Sequence, residues 1–214
     1  MEEQKTYTIT SLTQQERRAW RTSIFIDGAF WRALDTEIVA ELGLREGLRL
    51  SDEELSKLGH ALETKKALGR AFNLLSHRSR STKELSERLN RAGFAEAVVA
   101  EVIEKLQSLD YLDDNEFTNA WLRDRMDNKL YGKHRIKHEL KLKGIDDDII
   151  DEHLATRATD DNEYTRALSL ARGRAGSYAG LDARKAQQRL SQFLMRRGYG
   201  SAIAYLVSKE ILSG

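Results

Sequence analysis

The feature that most constrains this chain is a phrase it repeats. Leu85-x3-Leu89-x3-Gly93-Phe94 returns as Ile136-x3-Leu140-x3-Gly144-Ile145, 51 residues on, and as Leu190-x3-Leu194-x3-Gly198-Tyr199, a further 54 residues on. Five residues after each glycine stands an aliphatic: Val98, Ile149, Ile203. Asp114-Asn115-Glu116-Phe117 and Asp161-Asn162-Glu163-Tyr164 form a second repeated phrase. Self-similarity on this scale is the signature of stacked repeat units. Residues four apart share a helix face, so each Leu/Ile pair reads as a buried stripe. The glycine sits where a helix ends in the left-handed conformation. Asp146-Asp147-Asp148 then place negative charge at the positive end of a following helix. The pattern predicts three three-helix units at 61–110, 111–158 and 159–214. Units of this kind cannot bury their apolar faces alone, so they are expected to stack into an elongated, curved array.

Residues 1–60 obey a different rule. Tyr7-Thr8-Ile9-Thr10 and Trp20 to Ile26 are rich in β-branched and aromatic residues, and Asp27-Gly28 follows at once. That dipeptide suits a type I′ hairpin turn, which needs positive φ at both central residues. Thr36 to Leu42 reads as a short helix stopped at Gly43, and Leu48-Arg49-Leu50 as another strand. Ser51-Asp52-Glu53-Glu54 has the form of a capping box. The expected fold is mainly α, preceded by a small α/β module with a β-hairpin.

Composition removes several classes. With no cysteine, a disulfide scaffold, a cysteine nucleophile and a thiolate metal site are excluded. No apolar run approaches the roughly 18 residues a membrane helix needs. MEEQKTYT lacks the apolar stretch of a signal peptide, so a cytoplasmic protein is expected. The 35 basic and 34 acidic residues nearly cancel, which argues against a basic nucleic-acid coat. The cancellation is uneven, however: residues 1–60 carry −3, 61–110 +2, 111–160 −3 and 161–214 +5.

Sites of chemistry are scarce. His134 and His138 are four apart on one predicted helix, but no zinc-protease Glu lies between them, and Lys133, Arg135, Lys137 and Lys141 would repel a divalent cation. Gly173, Gly176 and Gly180 lack the strand and the Gly-Lys-[Ser/Thr] of a phosphate cradle and read as an interhelix loop. Phe117 and Trp121 read as core. No nucleophile–base pair is evident, so no catalytic residue, cofactor or metal is expected.

The basic helices stand out. Gly132 to Lys143 holds five cations and one Glu, and at about 100° per residue Lys133, Lys137 and Lys141 fall in one row. Lys185, Arg189 and Arg196 repeat that row, with Gln192, in the third unit, whereas Arg88 and Arg91 in the first are diluted by Glu84 and Glu87. A single such row is ordinarily a solvated helix face. Its recurrence on corresponding helices is the footprint of a polyanion or an acidic protein partner. Lys133, Arg135, Lys137, Lys141, Lys143, Lys185, Arg189, Arg196 and Arg197 are therefore read as much of an interaction surface.

In its ordered motifs the chain resembles the RecX family, regulators of the RecA recombinase. The resemblance lies in Leu74-Leu75-Ser76-His77-Arg78, Ser81-Thr82-Lys83-Glu84-Leu85, Tyr111-Leu112-Asp113-Asp114, Tyr131-Gly132, Arg135-Ile136, Glu139-Leu140-Lys141-x2-Gly144-Ile145 and Leu194-x2-Arg197-Gly198-Tyr199, within residues 64–212. Asp27-Gly28 and Leu44-Arg45-x-Gly47 resemble the N-terminal extension of longer members. Lys133 departs from the proline usual after the Tyr-Gly; the helix should survive, because proline there only pre-sets φ. The resemblance implies three tandem three-helix repeats in a non-enzymatic modulator, and a monomer is expected. It implies binding in the groove of the RecA–single-stranded DNA filament, contact with neighbouring RecA subunits, and suppression of ATPase, strand-exchange and coprotease activities. From another class, a sequence-independent nucleic-acid binder acting without RecA stays open; the scarcity of exposed aromatics in the helical part counts against it. The acidic N-terminal module is expected to pack on the first repeat or extend the array.

Overall fold

The computed structural model describes residues 5–213 of the chain, which divide into two compact bodies, one up to Lys66 and one from Ala67. In the N-terminal body, strands β1 (Thr6–Gln15), β2 (Arg18–Ile26), β3 (Ala29–Asp35) and β4 (Arg49–Ser51) form an antiparallel sheet in the order β3-β2-β1-β4. Asp27 and Gly28 both take positive φ (49° and 79°) and join β2 to β3 with Ile26 opposite Ala29. β1 runs five residues beyond Thr10, because the stretch Ser11–Gln15, polar except for Leu12, pairs with β2. Ile9, Ile24 and Ile26 share a core with Val39 of helix α1 (Thr36–Glu41) and Leu44. Helix α2 (Asp52–His77) opens on a reciprocal capping box: Glu54 N donates to Ser51 Oγ (3.2 Å) and Ser51 N to a Glu54 carboxylate oxygen (2.7 Å). α2 continues through residue 60, where the sequence reading places a boundary, and through the division at Lys66.

From Ala67 on, the body is helical. The end of α2 packs with α3 (Thr82–Arg91) and α4 (Glu96–Ser108) around Ala71, Leu85, Leu89, Val102 and Leu106. Next, α5 (Asp114–Arg123), α6 (Lys133–Leu142) and α7 (Asp147–Arg157) enclose Phe117, Leu122, Ile136, Leu140 and Ile150. Last, α8 (Asp160–Ala175), α9 (Ala183–Arg196) and α10 (Ser201–Ser213) enclose Ala171, Leu190, Leu194, Tyr199 and Val207. Among the described residues no helix is long and apolar enough to cross a membrane.

The repeated phrase does the same work each time. Its six Leu/Ile residues are fully buried, each worth about 1.5–3 kcal/mol relative to exposure. Gly93, Gly144 and Gly198 take φ of 89°, 78° and 97°, and the residue after each donates its N–H back across the helix end: Phe94 to Leu89 O, Ile145 to Leu140 O, Tyr199 to Leu194 O. This is the helix stop that glycine permits without strain. Gly173 departs from the reading above. It lies inside α8 among Ala and Arg, good helix formers that carry the helix to Ala175, and only Gly176 begins the interhelix turn.

The three-helix units are joined by a repeated contact. A carboxylate from the first helix of one unit caps the start of the second helix of the unit before it. Thr82 N of α3 donates to Asp114 Oδ1 (2.9 Å), and Lys133 N of α6 donates to Glu163 Oε1 (3.0 Å). Those helix starts also abut the ends of the next unit's second helix: Ser81 Oγ donates to Lys143 O (2.6 Å), Gly132 N to Arg197 O (3.0 Å) and His134 N to Gly198 O (3.1 Å). The N-terminus of one helix thus meets the C-terminus of another, which brings opposite ends of the two helix dipoles together.

At the first of these junctions Glu84 receives Arg78 Nη1 (2.9 Å) and Lys143 Nζ. Burial opposes ionisation of Glu84, but the hydrogen bonds and charges of Arg78 and Lys143 outweigh it and hold the carboxyl down at about 2, against an ordinary 4.5. Because the folded value is the lower one, its contribution is complete above about pH 4.5 and is lost as pH falls towards 2. Urea unfolding at stepped pH should show stability dropping across that window. Glu84→Gln should flatten the drop, and an unchanged pH profile would remove Glu84 from the junction.

Candidate interaction surface of the second and third units

The predicted cations do not form one free row. Lys133 Nζ lies 3.2 Å from Oε2 of Glu163, whose side chain is 0% exposed. Lys137 pairs with Asp151, Lys141 with Asp147 (2.8 Å), Lys143 with Glu84, and Arg135 with Glu139 (3.1 Å). The hydrogen bond donated to Asp151 holds the Lys137 ammonium above its ordinary range, and that from Lys141 holds the Asp147 carboxyl below its own. The row on α6 therefore ties its helix to α7 and α8. The proline position supplies a second part of this: Lys133 has the N–H that Glu163 accepts, which proline lacks.

α9 is different. Lys185, Arg189 and Arg196 are exposed and form no ion pair among the described residues. Arg197 is half-buried and enters a second arrangement, which lies on its own helix and runs back across the second unit.

That arrangement alternates cations and aromatic rings. Lys143 Nζ lies 5.0 Å from the Trp121 ring centre, and the Arg125 guanidinium stacks on the same ring at 3.9 Å. Arg125 Nε donates to Glu139 (2.8 Å), as do Trp121 Nε1 (3.2 Å) and Arg135 Nε (3.1 Å). Arg135 stacks on Tyr131 at 3.9 Å, Arg197 lies over both Tyr131 (5.6 Å) and Phe193 (5.3 Å), and Arg174 over Phe193 (5.7 Å). Each such contact is worth about 0.5–2 kcal/mol, according to how dry it is. Glu139 holds the centre. Burial opposes its charge, but the hydrogen bonds of Arg125 and Arg135 keep its carboxyl below the usual range. The guanidinium planes are thereby fixed against the rings.

Sequence reasoning placed Phe117 correctly in the core and missed the second role of Trp121, which stacks on Phe117 yet keeps a face for Arg125. A signal was present. Trp121 and Arg125, Tyr131 and Arg135, and Phe193 and Arg197 are each four residues apart, a spacing that on a helix brings side chains together; Tyr131, however, lies in the loop before α6. A π-helical turn over Asp124–Asn128, absent from the sequence reading, leads from α5 into the loop that carries Tyr131.

Four family models cover the chain: the RecX N-terminal domain at residues 7–51, and the first, second and third RecX three-helix domains at 67–106, 113–154 and 160–207. The regulatory protein RecX of Bacillus licheniformis is 30% identical over 191 residues, 89% of this chain and 72% of that protein. That of Listeria welshimeri is 30% identical over 202 residues, 94% and 75%. Among solved structures, a regulatory protein RecX superposes with a TM-score of 0.72 at 23% identity, over 95% of this chain and 99% of that one. RecX from Lactobacillus salivarius superposes with 0.65 at 29% identity, over 71% and 97%.

Proposed function

The chain belongs to the RecX family of regulatory proteins, and on that footing we propose that it is a negative regulator of RecA. In this reading it binds the RecA–single-stranded DNA filament and inhibits its ATPase, strand-exchange and coprotease activities without a reaction of its own. The observation that carries the reading is the α9 face. Lys185, Arg189 and Arg196 stand exposed, with no ion pair among the described residues, on the helix that also holds Phe193 and is capped by Arg197 of the stacked row. Repeated helical units that present such a surface can touch an extended partner at several points, and linked contacts multiply affinity without chemistry.

Titrating the protein into a single-stranded DNA-dependent RecA ATPase assay should give dose-dependent inhibition; an unchanged rate at excess defeats the reading. Reversing Lys185, Arg189 and Arg196 to Glu together should raise the half-inhibitory concentration on the order of tenfold by weakening electrostatic attraction. Circular dichroism should stay unchanged, because these side chains form no ion pair among the described residues. Reversing Lys133, Lys137 and Lys141 instead removes the pairs with Glu163, Asp151 and Asp147, so inhibition and stability fall together.

The stacked row supports a second reading, direct binding of single-stranded nucleic acid without RecA, since aromatic and guanidinium faces stack bases. Naked-strand affinity would then be high and fall steeply with salt, through counterion release. Comparing naked strand with filament at physiological salt separates the two.

A further inference from the structure

A cavity outside that row combines an apolar wall, a buried guanidinium and exposed carboxylates. It has a volume of about 580 Å³ and lies where the end of α2, the turn at Ser79–Arg80, the turn at Asp110–Tyr111 and α5 meet. Its apolar wall comprises Phe72, Tyr111 and Phe117. Phe72 and Tyr111 meet edge to face with centroids 5.0 Å apart, and Tyr111 nonetheless remains 59% exposed. Arg80 also lines the cavity and is only 9% exposed. Its Nε donates to Leu74 O (3.1 Å), while its Nη1 is buried with no acceptor among the described residues. Burial, with the nearby charges of Arg78 and Arg88, pushes the Arg80 pKa down. A buried donor left unpaired costs about 1–3 kcal/mol, and more when charged. Asp110 and Glu116 lie on the same cavity, both exposed and neither with an ion-pair partner among the described residues.

We propose that this cavity is a docking pocket for a short segment of a partner protein in which an aliphatic side chain sits beside Lys or Arg. The aliphatic group packs against Phe72, Tyr111 and Phe117. A carbonyl of the segment supplies the acceptor that Arg80 Nη1 lacks among the described residues, and the cation meets Asp110 and Glu116. Charge complementarity selects this occupant. The free carboxylates repel phosphate and acidic peptides, and a purely apolar molecule leaves both the carboxylates and the guanidinium unanswered. The pocket shares no residue with the cation–aromatic row and carries the opposite charge at its mouth, so its fate does not depend on the filament reading.

The probe is the blocked peptide acetyl-Lys-Leu-Asn-Lys-Leu-Lys-amide, set against a counterpart with Glu for every Lys. Each is titrated into the full chain labelled with nitrogen-15 and followed by amide and Arg80 Nε–H chemical shifts. The Lys peptide should move signals from residues 79–80 and 110–120 saturably, and the Glu peptide should not. Tyr111→Ala and Glu116→Lys, both at exposed positions, should each weaken the Lys peptide by about tenfold, as loss of a central contact does. The proposal is overturned by equal response to both peptides, by binding unaffected in both variants, or by no saturable shift at millimolar peptide. Shifts at these residues that grow with protein concentration alone would assign the pocket to a second copy of the chain, and overturn it equally.

Discussion

Gly132→Ala is expected to be a severely damaging single methyl in the helical body. A Cβ at this position would lie 2.3 Å from Gly198 O, 2.4 Å from Gly198 C and 2.5 Å from Tyr199 N. All three are backbone atoms, so no side chain can swing aside. The φ of Gly132 is an ordinary −77°, and the requirement for glycine is therefore space rather than conformation. To admit the methyl, the start of α6 must part from the end of α9. Three hydrogen bonds are then at stake: Gly132 N to Arg197 O, His134 N to Gly198 O, and Tyr199 Oη to Leu130 O (2.9 Å). Burial first of all, with the charge of Glu163 adding to it against Arg166 and Arg197, pushes the Tyr199 phenol up to about 12, so it remains a donor at any ordinary pH. Overpacking costs about 1–3 kcal/mol and each lost hydrogen bond about 1 kcal/mol, so a loss of about 4 kcal/mol is expected in urea unfolding. Gly69→Ala is the control. That glycine lies inside α2 with nothing within 4 Å of the added carbon, and the exchange should stabilise by about 0.5–1 kcal/mol. If both substitutions behave alike, the close approach of α6 and α9 is not what the protein relies on.

Glu163 ranks second. It is the fully buried acid among the charged side chains of the core, and it serves Lys133 twice, through the backbone N–H (3.0 Å) and the ammonium (3.2 Å). Glu163→Leu keeps the volume near the original and removes both acceptors. The stranded N–H costs about 1–3 kcal/mol. The ammonium, 36% exposed, recovers water and adds less than the 3–5 kcal/mol of a fully buried broken pair. A total loss of about 3 kcal/mol is expected. Glu163→Gln retains one carbonyl oxygen for the N–H and should lose about half as much. Thermal or urea unfolding of the two variants ranks them, and equal losses would show that the charge, and not the cap, is what matters.

These two residues mark where reading the sequence stops. Glu163 sits in a phrase that matches the one around Glu116, and the matching positions invite equal treatment. The structure buries Glu163 against α6 and leaves Glu116 exposed at the mouth of a cavity; at the earlier junction the capping carboxylate is Asp114, two residues before Glu116. Lys133, Lys137 and Lys141 show the same limit. Their shared helix face is visible in the spacing, but their partners lie 30, 14 and 6 residues away on other helices. The aromatic–arginine pairs were within reach of the sequence, at four-residue spacing, and were obscured by reading Trp121 solely as core.

What the sequence determined by itself are the features that one turn of chain decides: the three glycine-terminated helices, the Asp27-Gly28 hairpin and the Ser51 capping box. Each depends on the φ freedom of one residue or on a hydrogen bond between residues a few positions apart, and such preferences act in any surroundings. Only the tertiary structure decided which cations are ties and which are free, that Gly132 is needed for room, and that Arg80 Nη1 has no acceptor among the described residues. A charge or a cavity is defined by everything that reaches it through space, and those neighbours come from helices whose packing no local spacing encodes.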